Sequence, residues 1–409
     1  MKKNALRKIT ASLFIISTLA FTGCQQAIYE AIREDVEPEK ATVSGNIGAI
    51  TRYTAGGNEY LVLAANEGLK YKQKDKNSHG EWKGYGIPFE LHHYDFNSSS
   101  HAGQQILSVL ADSTYLYIIS ASYGHTSIEG SSYPSSINLY AKSISVNGTD
   151  WSSAGSWASV PTKIGDIQLF PIYVDSDEVF HSDFRVFQTN APKKEHRAAF
   201  VRTYDYTNKV YKYFRLNGAD TPAEVTTEVE AAIIDPNPSS AANYKATALS
   251  AVWFGGAIKY FTTPAATTNE TYTDEASYYY YSNGDTRLLY SNGGAPVEAL
   301  NTDAVISALA TTADSILIGH GKANGAEGGI SRVLHTNGVP ANSKANFETN
   351  AEFQITKAYM VMALVNASPE KTEKESGLYA AITFSGSADN FDNIGLWSYY
   401  PGRGNWNRE

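Results

Sequence analysis

The chain is poor in cysteine and in positive charge, and each shortage closes off a class of function. One Cys in 409 residues excludes an internal disulfide framework and any paired-cysteine zinc or iron–sulfur site. Lys and Arg number 33 against 42 Asp and Glu, a formal charge of −9, which argues against a nucleic-acid partner. Charged residues make up only 18% and hydrophobic residues 42%, so the chain can bury a core and is not disordered throughout. The length suits two to three average domains or one large repeat fold. What is abundant is tyrosine, 28 residues, with 32 glycines. Tyr, Thr, Val and Phe suit pleated strands and Gly suits turns, so an all-β chain is expected.

The N-terminus reads as a targeting segment. Lys2, Lys3, Arg7 and Lys8 precede the apolar run Ile9 to Phe21, which ends at Thr22-Gly23-Cys24. A basic stretch, a short apolar run and small residues form a secretory signal. The run is shorter than the ~20 residues of a spanning helix. The sole cysteine sits where cleavage would occur. This resembles the lipobox of bacterial lipoproteins, with Phe21 in place of the usual Leu, as in the looser lipoboxes of spirochaetes. The resemblance implies that Cys24 is lipidated and begins the mature protein, with residues 1–23 removed as signal. Three acyl chains exceed the two signals that stable anchoring needs. The alternative is an ordinary signal peptide with a chance cysteine. Removing four positive charges leaves 29 against 42, a net of −13, so lipid rather than charge would hold the chain at a membrane. In residues 24–41 the spacing of Ala27, Ile28, Ala31 and Ile32 predicts a short helix on a leash that Pro38 ends. Gln25 is not the aspartate that marks inner-membrane retention in enteric bacteria, so that resemblance implies the outer membrane.

Residues 42–409 repeat. Ile47–Tyr53 leads into Glu59–Ala65 and Gly68–Tyr71; Ile106–Leu110 into Tyr115–Ser120 and Ile137–Ala141; Ile167–Val174 into Phe184–Gln188, Arg197–Tyr204 and Val210–Phe214. Thr247–Trp253 leads into Ile258–Thr262, Ser277–Tyr281 and Arg287–Tyr290; Val305–Thr311 into Ser315–Gly319 and Gly329–His335; Tyr359–Val365 into Gly377–Phe384 and Gly395–Tyr399. Units of about four strands recurring at roughly 55–75 residues, without helical periodicity between them, predict a β-propeller. Six four-stranded blades are visible, and the interval from Arg215 to Thr247 has room for strands of a seventh. Two β-sandwich domains in series are the alternative. The run Tyr278–Tyr281 puts aromatic bulk on both faces of one strand, as in a blade covered on both sides; an exposed platform for sugars is the functional reading. Ring closure predicts that the chain near residues 42–53 pairs with the last unit, with Trp397 and Trp406 at that seam.

Chemistry-bearing motifs are sparse. Gly319-His320-Gly321 and Gly325 to Gly329 lack the Lys-Ser/Thr of a phosphate loop and read as hairpin turns, as do Gly255-Gly256 and Gly293-Gly294. Adjacent His92 and His93 point to opposite faces of a strand. Asp175-Ser176-Asp177-Glu178 and Asp389–Asn393 offer oxygen ligands without EF-hand spacing and read as solvated loops. No transition-metal or cofactor site is expected. Ser145–Trp151, with fainter echoes at His79–Trp82 and Gly402–Trp406, is similar to the Asp-box turns of sialidases, which in that family are structural. Arg52, Arg185, Arg202, Arg287 and Arg332 are available for a carboxylate-binding triad, but none stands in the Arg-Ile-Pro context that family shows. No nucleophile elbow is present, and an acid–base pair cannot be picked from 42 acids without geometry. No catalytic residue is assigned.

The relaxed lipobox, the leash and the strand-rich repeats together resemble spirochaetal, treponeme-like lipoproteins with a propeller-like repeat domain. That implies location and fold only. The expected function is a non-enzymatic binding module on the envelope, using propeller-face loops against a protein or glycan. The alternatives are a periplasmic scaffold for outer-membrane assembly and a glycosidase-like propeller enzyme.

Overall fold

The chain divides into Met1–Thr42 and Val43–Glu409. The computed structural model describes residue 43 and, beyond it, residues 47–65, 68–74, 82–85, 103–128, 131–143, 162–165, 172–174, 180–182, 185–188, 197–205, 210–227, 251–255, 278–282, 286–291, 297–301, 306–320, 329–336, 339–343, 345–346, 359–368, 371–372, 375–384, 394–400 and 406–409. Apart from helical positions at Thr226–Thr227 and Glu375, the regular structure among them is all strand.

The strands form consecutive antiparallel meanders. Sheet one is β1 (Ile47–Ala55), β2 (Asn58–Ala65), β3 (Gly68–Gln73) and β4 (Lys83–Gly84). Sheet two is β5 (Gly103–Ala111), β6 (Tyr115–Ile128), β7 (Ser131–Ser143) and β8 (Thr162–Gly165). A separate hairpin pairs β9 (Ile172–Val174) with β10 (Phe180–Ser182). Sheet three is β11 (Arg185–Gln188), β12 (Ala199–Asp205), β13 (Val210–Arg215) and β14 (Ala223–Glu224). Sheet four is β15 (Ala251–Gly255), β16 (Tyr278–Ser282), β17 (Arg287–Ser291) and β18 (Val297–Asn301). Sheet five is β19 (Ile306–Thr311), β20 (Ser315–His320) and β21 (Gly329–Thr336), with β22 (Val339–Pro340) and β23 (Ala345–Asn346) both pairing β21. The last sheet is β24 (Tyr359–Asn366), β25 (Leu378–Phe384), β26 (Gly395–Tyr399) and β27 (Trp406–Arg408).

The first strand of each sheet meets the first strand of the next, and β24 meets β1. The result is a propeller-like ring of small sheets. Middle strands are buried on both faces, because each lies between two neighbouring sheets: β2 is buried from Tyr60 to Ala65, and β20 from Ser315 to Gly319. Shared apolar clusters cement successive sheets. Tyr53 and Val62 pack with Val109 and Ile118; Tyr117 and Leu139 with Ala199 and Val201; Tyr280 and Leu288 with Ile316 and Val333. Tyr280 is fully buried and stacks on Tyr290 at 5.7 Å, so at that position the aromatic run is core.

Closure follows the expected route with different side chains. Val43 N–H donates to the Glu409 carbonyl at 3.1 Å, and Ile47, Ile50 and Leu63 of sheet one pack with Val365, Tyr379 and Leu396 of the last sheet. Trp397 and Trp406 are not at this seam. They pack on the other side, with Ala308, Leu317 and Ile330 of sheet five. Strand parity is the reason: Leu396 and Tyr400 point towards sheet one, so Trp397 and Tyr399 point away, and Trp406 lies opposite Tyr399 in the ladder. The tryptophan at the seam is Trp82. A second correction concerns Ile167–Val174, expected to open the third unit. Its described part, Ile172–Val174, belongs to the separate hairpin, and sheet three opens at Arg185.

Candidate functional site

Two clusters of charged and polar groups are buried where strands of different sheets meet. The first is at the ring seam. Lys72 on β3 is 3% exposed, and its Nζ lies 5.7 Å from the Trp82 ring, 5.5 Å from Tyr379 and 5.7 Å from Tyr400. It donates to Glu409 Oε2 at 2.8 Å and to the Tyr400 hydroxyl at 3.1 Å. Trp82 Nε1 donates to the same Oε2 at 2.8 Å, and Tyr400 donates to Oε1 at 3.2 Å. Tyr379 and Tyr400 also hydrogen-bond each other. Burial, then the Glu409 charge, raises the Tyr400 pKa above the phenol range. The ammonium is thus enclosed by three aromatic faces and one carboxylate, contacts that compensate a desolvated cation.

The second cluster joins sheets one and three. Arg197, immediately before β12, donates from Nη2 to Glu59 Oε1 at 3.1 Å and Oε2 at 3.2 Å, and from Nη1 to Thr54 Oγ1 at 3.1 Å. Thr54 in turn donates to Glu59. Arg52 Nε approaches Glu59 Oε2 at 3.8 Å. Arg52 and Arg197 are buried, while Glu59 is 26% exposed. Because sheet two lies between sheets one and three, this ion pair spans alternate members of the ring.

The first strands carry a further regularity. A register shift falls between Ile47 and Ala49, Ile106 and Ser108, Ile306 and Ala308, and Val361 and Ala363. The inserted residues are Gly48, Leu107, Ser307 and Met362. A bulge leaves the extra residue out of the ladder and re-aims it. Neighbouring bulges touch: a Cβ on Gly48 would lie 2.3 Å from the Leu107 carbonyl oxygen, and Ser307 Oγ donates to the Val361 carbonyl at 2.6 Å.

Of the residues singled out from sequence, Cys24, the leash, His92-His93, Ser145–Trp151, Asp175–Glu178, Asp389–Asn393, Gly256, Gly293-Gly294 and Gly325 lie outside the described residues. The candidate arginines are dispersed. Arg52 is on β1, Arg185 on β11 is the backbone register partner of Arg202 on β12, Arg287 is on β17 and Arg332 on β21. Gly319 and Gly329 lie within the β20–β21 pairing, as hairpin glycines do. Among the described residues no group of three or more His, Cys, Asp or Glu has metal-binding geometry, and no helix is long and apolar enough to cross a membrane. Lys72, Glu409, Arg197 and Glu59 were not singled out from sequence, since nothing local marks partners separated by more than 130 positions. The bulges did carry a signal: an apolar residue, any residue, Ala or Ser, then an apolar residue, at Ile47–Ile50, Ile106–Val109, Ile306–Leu309 and Val361–Leu364.

The fold defines the class: an all-β chain with a propeller-like ring of small sheets. No family model matches the chain, and no curated protein matches it. Solved structures with a similar trace include Sqt1 of Saccharomyces cerevisiae, at 10% identity and a TM-score of 0.33 over 90% of this chain and 85% of that one. BBS1N, from its complex with ARL6DN, is similar at 10% identity and a TM-score of 0.35 over 90% and 92%. The GH43 protein BlXynB of Bacillus licheniformis is similar at 12% identity and 0.33 over 90% of this chain and 55% of that one. Likenesses this weak carry no argument about activity.

Proposed function

We propose that the chain is a non-enzymatic binding module of the cell envelope, held to the outer membrane through a lipid on Cys24, whose ring face takes a protein or glycan ligand. The observation that carries the reading is the ring itself. Connections that join the last strand of one sheet to the first strand of the next leave from a single rim. Gly84 to Gly103 and Glu224 to Ala251 are long connections of this kind. Connections of varied length on one rim of a rigid frame are a common arrangement for recognition. The finer reading of the ring is six blades, with the β9–β10 hairpin inserted between the second and third. The anchor rests on the basic N-terminus, the short apolar run and the sole cysteine.

A pull-down from native envelope with the intact protein tests the binding role. Support would be a captured species that, once purified, binds saturably and slows hydrogen exchange in the connections between successive sheets. Turnover of chromogenic glycosides above background would contradict it.

A further inference from the structure

Charge is unevenly placed around the rim of the ring. Segment 68–85, which supplies β3, β4 and their connection, holds five lysines against Asp75 and Glu81, in a chain whose formal charge is −9. Lys83, on the outermost strand of sheet one, is exposed. Lys70 lies on the same face of β3 as the buried Lys72, Lys74 follows two residues after it, and both are half-buried. Across the seam, Arg408 on the outermost strand of the last sheet is exposed. Sheets three and four, furthest from the seam in the ring order, carry the opposite sign on their outermost strands. Glu224 on β14 and Glu298 on β18 are exposed, as is Asp220 shortly before β14. The chain also enters the ring on the basic side. Val43 packs with Trp82 and Tyr400 in the seam cluster, and its N–H donates to the Glu409 carbonyl. Eighteen residues lie between Val43 and Cys24, at most about 65 Å of extended chain.

We propose that this side of the rim docks on anionic phospholipid headgroups. An anionic surface attracts Lys70, Lys74, Lys83 and Arg408 and repels Glu224 and Glu298, so a ring held close by its leash turns its seam to the membrane. Lipid holds the chain, and the lysines orient it. The ring then stands on its rim, with both ends of its axis facing solvent. That the surface is a membrane rests on the anchored reading; the division of charge around the rim does not.

The sole cysteine makes the test direct. The chain without residues 1–23 is coupled through Cys24 to a maleimide-headed lipid in vesicles of phosphatidylcholine, or of phosphatidylcholine with about one-third phosphatidylglycerol. Both are treated with neutral N-hydroxysuccinimidyl acetate, and acetylation of individual lysines is followed by mass spectrometry. Lys70, Lys74 and Lys83 should react at least about threefold more slowly on the anionic vesicles, and the difference should vanish in about 0.5 M salt. Lys212 on β13 of sheet three should react alike on both. Lys83→Glu should return Lys70 and Lys74 towards their rates on neutral vesicles, whereas Glu298→Gln should not. Equal rates on the two vesicles, protection that survives salt, or protection of Lys212 as strong as that of Lys83 would overturn the proposal. Protection by a single-stranded oligonucleotide but not by anionic vesicles would assign the patch to a nucleic acid and overturn it equally. The tether is chemical, so these outcomes do not depend on acylation in the cell. A native Cys24 without acyl chains would count against the anchor alone.

Discussion

Removing the Glu409 carboxylate should weaken the ring more than removing the lysine it faces. In Glu409→Ala, Lys72 keeps its three aromatic neighbours at 5.5–5.7 Å but loses the 2.8 Å ion pair, and Trp82 Nε1 loses its acceptor. Breaking a buried pair by removing one partner costs about 3–5 kcal/mol. The aromatic faces return up to about 2 kcal/mol to a desolvated cation, which places the expected loss near 3 kcal/mol. That is about a hundredfold in the folded-to-unfolded ratio. Lys72→Met removes the costly buried ammonium itself, and Glu409, 12% exposed, retains its bonds from Trp82 and Tyr400. Its expected cost is about 1 kcal/mol. The double variant Lys72→Met/Glu409→Gln should then be more stable than Glu409→Ala alone. Urea unfolding followed by tyrosine and tryptophan fluorescence measures all three. If Glu409→Ala and Lys72→Met were both within about 0.5 kcal/mol of wild type, the range of ordinary surface changes, the clasp would not hold the seam.

Gly48→Ala places a methyl 2.3 Å from the Leu107 backbone oxygen, whereas Gly319→Ala meets Val361 Cγ1 at 2.7 Å. Shortening that side chain removes the Cγ1 contact but leaves Val361 Cβ at 2.9 Å, so Val361→Ala should recover part of the loss in Gly319→Ala, about 1–3 kcal/mol, and nothing in Gly48→Ala; melting temperatures decide. Burial pulls the Lys142 amine down to about 8, so the folded chain releases that proton before the unfolded one. Stability should therefore rise as pH climbs from about 8 towards the ordinary 10.5 of lysine, and Lys142→Met should lose the rise. Above about 10 the trend should reverse, because burial holds the protons on Tyr53, Tyr85, Tyr117 and Tyr400 in the folded chain only. Cys24→Ser should move the protein from membrane to soluble fractions, and mass spectrometry of the native N-terminus should find acyl chains on Cys24; a free thiol there would contradict the anchor.

Strand positions were legible wherever alternation and turn residues act locally. The stretches around Tyr60, Ile118, Leu317 and Ala380 read as strands, and each became a buried middle strand between two others. The side of the blade on which a residue falls was less legible. Trp397 and Trp406 lie near the end of the chain, but one step of strand parity sends them to sheet five. Ile172 to Val174 has the β-branched and aromatic character of an opening strand, yet among the described residues it pairs with Phe180 to Ser182 alone. The charged clusters were the least legible part. Lys72 resembles any strand lysine until Glu409, 337 positions away, is brought against it, and Arg197 gains its meaning only from the β1–β2 turn of another sheet.

Deletion of residues 359–409 tests the closed ring most directly. That segment supplies one wall to the cluster around Ile47 and Leu63 and another to the cluster around Ala308 and Leu317. A closed ring requires that its loss uncover apolar faces on both neighbours and leave unpaired sheet edges. Light scattering and calorimetry of the truncated chain should then show association and loss of the cooperative melt. A truncated chain that stayed monomeric and melted cooperatively at the wild-type temperature would contradict the ring and favour independent sandwich domains.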